Sequence, residues 1–139
     1  MVFLRLRSTT IDFREFSDNS QMPISALTSI LDKENKYNLG SGIVFHTIVF
    51  LVSPKSSYDF DGQLNDTLGF LSRNLNELSS LYDEAEPFEK ILEFFIDSEL
   101  GEKNRTQIQT FPYELFKLSC ELKLQLRIQF ERPFEEEYV

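Results

Sequence analysis

Residues 43–82 read IVFHTIVFLVSPKSSYDFDGQLNDTLGFLSRNLNELSSLY, and the two ends of this stretch follow different periodicities. Ile43 to Val52 is a nearly unbroken run of β-branched and aromatic residues, the composition of a central strand covered on both faces. After a loop over Pro54 to Gly62, Leu64, Leu68, Leu71, Leu75 and Leu78 recur at spacings of 4, 3, 4 and 3, followed by Tyr82. Only a helix gathers such positions into one stripe, and here it would run for about five turns. A buried strand followed by an amphipathic helix calls for a layer of helices on a sheet.

The flanking segments extend that layer. Residues 2–7, VFLRLR, alternate as a strand with one wet face does. Ser8 to Gln21 is polar and turn-rich, with Ile11 and Phe13 able to prolong an edge strand. Pro23 then opens PISALTSILDKE, where Ile24, Leu27, Ile30 and Leu31 predict a short helix with Ser20 or Gln21 near its cap. Asn38 to Gly42 is a break. Glu89 to Glu99 holds ILEFFI, a buried strand with acidic ends. Pro112 sits at the first turn of a helix capped by Thr110 or Phe111, with Leu115, Leu118 and Leu122 facing inward. Leu122 to Glu131 alternates strictly and reads as a strand with one solvent face.

The order is therefore β-α-β-α-β-α-β, with room for an edge strand near residue 12. It predicts a single α+β domain over residues 1–139: a mixed or mainly antiparallel four- to five-stranded sheet with three helices packed on it. Residues 132–139 form an acidic C-terminal tail. The chain is 41% hydrophobic and 27% charged, which excludes a disordered or fibrous polymer. One cysteine cannot make an internal disulfide, the apolar run 43–52 is about half a membrane span, and MVFLRLR places charges inside its apolar stretch, unlike a secretory leader. A cytoplasmic setting is expected.

Chemistry finds little purchase. A zinc site needs three or four ligands, normally His or Cys, and the chain has only His46 and Cys120. His46, on the strand face of Val44, Ile48 and Phe50, reads as a structural residue. Cys120 lies near a helix C-terminus beside Glu121, where a thiolate is disfavoured, and reads as a small buried or half-buried residue. Asp59-Phe60-Asp61-Gly62 resembles a calcium loop, but Leu68 stands where a bidentate Glu belongs, so it reads as a turn before the leucine-rich helix. The glycines make no phosphate loop. No catalytic residue, cofactor or metal is expected, and the chain reads as a non-enzyme.

Charge is more informative. The net charge is −9, which disfavours nucleic acid and anionic membrane as partners and favours a basic protein. Residues 83–102 hold eight acids against Lys90 alone, seven of the nine net negative charges. Burial of Ile91, Phe94, Phe95 and Ile96 would push these acids to the strand's two ends. Asp83, Glu84, Glu86 and Glu89 gather at one, and Asp97, Glu99 and Glu102 at the other. Asp83, Glu84, Glu86, Glu89, Glu99 and Glu102 are the candidate partner-binding residues, with either cluster eligible. If the first and last strands are neighbours, Arg5, Arg7, Lys123 and Arg127 share one sheet face, read as a solvated face neutralised by Glu131 and the acidic tail.

The last third, ILEFFIDSELGEKNRTQIQTFPYELFKLSCELKLQLRIQFE, resembles a bacterial family of small domains, domain-of-unknown-function family 4279. Tyr113 to Leu118 and Leu124 to Ile128 carry the likeness, a helix followed by a final alternating strand. The resemblance implies a product of toxin-neighbouring genes, an immunity protein without catalytic residues. Combined with the charge, it gives the expectation of a cytoplasmic inhibitor that neutralises a basic toxin domain through an acidic surface. The alternative is an accessory or homo-oligomeric structural domain.

Overall fold

The computed structural model describes residues 1–32, 42–83, 85–100, 103 and 105–131. Glu84, Glu102 and the tail 132–139 lie outside the described residues, as do most of the break 38–42 and the end of the helix expected after Pro23. The elements are β1 (Val2–Ser8), α1 (Arg14–Asn19), β2 (Ile24–Asp32), β3 (Ile43–Ser53), α2 (Phe60–Leu81), β4 (Glu89–Asp97), α3 (Tyr113–Glu121) and β5 (Gln125–Glu131). They build an α+β domain on one mixed sheet in the order β2-β3-β1-β4-β5. The three pairings β2/β3, β3/β1 and β1/β4 are antiparallel, and β4/β5 is parallel.

β1 lies at the centre. Its alternation sends Val2, Leu4 and Leu6, all fully buried, to the helix-covered face, and Phe3, Arg5 and Arg7 to the open face. Register carries the division across the sheet. Leu4 stands opposite Phe50 of β3 and Leu92 of β4 on the covered face, while Phe3 stands opposite Leu51 and Glu93 on the open one. α2 closes the core with the expected stripe. Leu71 and Leu78 are fully buried, Leu64 nearly so, and Leu68 and Leu75 pack at its margin. Phe70, alongside Phe50, and the buried Thr67 widen the contact. Leu115 of α3 and the following Leu122 seal the other side.

Asp59 caps α2, its carboxylate accepting the Gly62 amide at 2.9 Å, so the calcium-like tetrapeptide is a helix start. α3 begins one residue after Pro112, which is itself the capping residue, without help from the Thr110 or Phe111 side chains.

Several expectations need correction. Residues 24–32 form an edge strand instead of a helix. Ile24, Leu27, Ile30 and Leu31 fit a helical stripe, but the segment also alternates Ala26, Thr28 and Ile30 with Leu27, Ser29 and Leu31. Pairing decides between them: β3 has one edge on β1, and β2 satisfies the backbone groups of the other. β3 is accordingly the second strand, covered on one face, and not a doubly covered central one. The region near residue 12 makes no strand; it leads into α1, anchored by the fully buried Phe13 immediately before it. Cys120 is exposed, because the helical turn directs Ser119 inward.

Leu71→Ala removes a fully buried side chain at the middle of the α2 stripe and should cost about 2–5 kcal/mol through lost burial and the cavity left behind. Urea melts check this; a loss below about half a kcal/mol would mean that the stripe does not carry the core.

Candidate partner-binding site

The two acidic ends of β4 have different surroundings. At its beginning, basic residues from neighbouring elements meet the acids. Glu89 stands across from Arg7 in register and lies 3.2 Å from Arg5 Nε and 3.7 Å from Arg7 Nη1. Glu86 accepts from Lys90 Nζ at 2.7 Å and lies 3.2 Å from Lys123 Nζ. The hydrogen bond from Lys90, and then that from Lys123, hold the Glu86 carboxyl below the usual carboxylate range. Farther along, Glu93 pairs with Arg127 at 3.6 Å. Arg5, Arg7 and Arg127 do share the open face, although β4 separates the first and last strands, and Glu89 and Glu93 pair with them; the tail expected to neutralise this face lies outside the described residues. The Arg7 guanidinium also lies against the Phe45 and Phe88 rings, 5.6 and 5.7 Å from their centroids. At this end Asp83 is exposed and makes no ion pair among the described residues.

The other end of β4 carries its acids without such partners. α2 ends shortly before β4 begins, and its 22 residues span about 33 Å against about 30 Å for the nine residues of β4. Running back along the strand, it places its own beginning beside the strand's end. Asp59 and Asp61 from α2 thereby join Asp97 and Glu99 around an open cleft of about 530 Å³. Among the described residues, no Lys, Arg or His comes within 4 Å of these four carboxylates. Tyr58 and Ile108 on the cleft wall are 76% and 85% exposed.

The walls are fixed by polar residues aimed at backbone. Gln63, fully buried one turn into α2, donates from Nε2 to the carbonyls of Ser56 at 3.0 Å and Phe95 at 2.8 Å. Ser57 Oγ donates to Asp97 at 2.6 Å, and the Asp97 amide donates to the Ser57 carbonyl at 3.0 Å. Gln107 clamps the connection leaving β4, donating to the Asp97 carbonyl and accepting the Glu99 amide, both at 2.8 Å. The loop before α2, the end of β4 and the segment before α3 are thus tied into one rim.

The structure separates the expected site residues: Asp83, Glu86 and Glu89 lie at one end of β4 and Glu99 at the other. Asp59 and Asp61 were missed, although their place at the start of a helix that folds back onto β4 was the available signal. His46 takes a structural hydrogen bond, its Nδ1 2.8 Å from Ser29 Oγ on β2. Among the described residues, no group of His, Cys, Asp and Glu is arranged to hold a metal ion, and no helix is long and apolar enough to cross a membrane. No protein-family model, curated protein or solved structure matches the chain.

The neutralised end carries one titration consequence. Tyr82 donates to the Leu122 carbonyl at 3.1 Å; burial pushes its phenol up, and the Glu86 carboxylate adds to the shift. An unfolded phenol ionises near pH 10, so above that value the unfolded chain has released a proton that the folded chain keeps. This contribution to stability is constant below about pH 10 and declines as pH rises beyond it. Denaturant midpoints between about pH 8 and pH 11 should show the decline, and Tyr82→Phe should flatten it; an equally steep decline in the variant would contradict the assignment.

Proposed function

We propose that the protein is a non-catalytic binding domain that docks a basic protein partner at the cleft between the start of α2 and the end of β4. The observation that carries this reading is the cluster of Asp59, Asp61, Asp97 and Glu99, four carboxylates with no cation within ion-pair distance among the described residues. Fixed negative charge in a concave site raises the local concentration of cationic ligands and steers their encounter. The exposed Tyr58 and Ile108 supply apolar contact area beside that charge, which a folded protein partner needs for affinity beyond steering.

This cleft is a better docking site than the opposite end of β4, where Glu86 and Glu89 are already engaged by Lys90, Lys123, Arg5 and Arg7. A partner bound there would have to displace those cations. With the resemblance to a family of immunity-type domains, the reading becomes an inhibitor that occludes a basic toxin domain, its carboxylates taking the place of a phosphate-bearing substrate.

Basic proteins captured on the immobilised chain and identified by mass spectrometry supply the partner, and association kinetics then test the site. The double substitution Asp61→Lys, Glu99→Lys should slow association roughly tenfold or more at low salt and weaken its salt dependence, with the melting temperature nearly unchanged. Asp83→Lys, at the other end, should change the rate far less. An on-rate that ignores the double substitution would reject acidic docking at this cleft and redirect attention to hydrophobic and loop surfaces.

A further inference from the structure

The sheet's two edges are guarded unequally. On β5, Arg127 and Glu131 put charge on the outer strand, and Lys123 lies just before it, a common protection against unwanted strand pairing. On β2, Ile24 to Leu31 contains no charged residue, in a chain of net charge −9. Leu27, Ile30 and Leu31 are 38%, 62% and 46% exposed on this strand, and among the described residues no strand lies beside its outer backbone groups. The beginning of β2 is protected by Pro23, which lacks an amide hydrogen, and by the irregularity in pairing between Ile24 and Ala26, and its end carries one charge, Asp32. The regular pairing runs from Ala26 to Asp32, with no charge before Asp32.

We propose that this edge pairs antiparallel with the same edge of a second copy, continuing the sheet from one copy into the other. A two-fold axis perpendicular to the sheet keeps the faces aligned, so paired residues must share a face. The midpoint of 26–32 is Ser29, and centring the axis there satisfies the requirement along the whole length. Leu27 then lies opposite Leu31 of the second copy on one face, and Ile30 opposite Thr28 on the other. All three exposed apolar residues gain cross-strand neighbours, each twice by symmetry.

Charge favours a second copy over the basic partner at this edge. Ile24 to Leu31 offers a cationic surface nothing to pair with, while two copies meet there without opposing like charges in the register described. The docking cleft, formed by α2 and β4, lies away from β2 in the sheet order and is not used by this contact. Pairing through one strand is a small interface, so the dimer should dissociate on dilution.

Sedimentation equilibrium over a concentration series tests this directly. The mass should rise from 16.3 kDa toward twice that value with concentration, and more readily at high salt, which screens repulsion between copies of charge −9. The double substitution Thr28→Lys, Ile30→Lys opposes lysines across the axis and should hold the mass at 16.3 kDa, although it lowers the net negative charge. Gln129→Lys on β5 should leave association intact. A wild-type chain that stays monomeric throughout, including one that instead takes up an unrelated strand at β2, overturns the proposal, as does a folded double variant that still dimerises. Should the double variant fail to fold, amide exchange of the wild type decides. Protection at residues 26–32 that grows with concentration supports the pairing, and protection independent of concentration rejects it.

Discussion

Everything in this molecule depends on how α2 lies against the sheet. Its leucine stripe has one large apolar surface to meet, the β1-centred face of Leu4, Leu6, Ile48, Phe50, Leu92 and Phe94. Because the connection from α2 to β4 is short, the helix must run back along the strand that follows it. Gln63 near one end bonds the Phe95 carbonyl, and Tyr82 beyond the other packs over Lys90, which fixes the direction. Hydrophobic burial thus has a consequence at the surface: it carries Asp59 and Asp61 to the end of β4.

The same packing sorts the chain's charge. Along the sequence the negative charge is concentrated in residues 83–102, but folding divides that segment between two ends of a strand about 30 Å long. Neighbouring strands return Arg5, Arg7 and Arg127 to one portion, so those acids serve the sheet's open face. These pairs join half-exposed guanidiniums to the more buried carboxylates of Glu89 and Glu93, which are thereby already matched by cations. The remaining acids gain reinforcements from α2. Linear charge density singles out β4, while the three-dimensional neighbours decide at which of its ends the carboxylates lack cation partners among the described residues.

Much of the fold was legible because local patterns were strong. The α2 stripe and the alternation of β1 and β5 are periodicities that only one kind of element satisfies. β2 was not legible for the opposite reason: its apolar spacing suits helix and strand alike, and the choice rests on the open edge of β3, information that lies outside the segment. α1 has no fully buried residue of its own and so left no periodic mark; Phe13 beside it is buried, and Phe16 packs edge-on to Phe50 at the core margin. The cleft was half legible. Glu99 followed from the acidic ends of β4, but Asp59 and Asp61 were read as turn residues because their contribution depends on the return path of α2.

The central claim is that the available acidic cleft, and not the neutralised cluster, recognises positive charge. A nuclear magnetic resonance titration of the full chain with a short lysine-rich peptide addresses it residue by residue. The account requires shifts concentrated at Tyr58, Asp61, Glu99 and Ile108, fading as salt rises, with Glu86 and Glu89 little affected. Shifts centred on Asp83, Glu86 and Glu89, or spread evenly over the acidic surface, would contradict it.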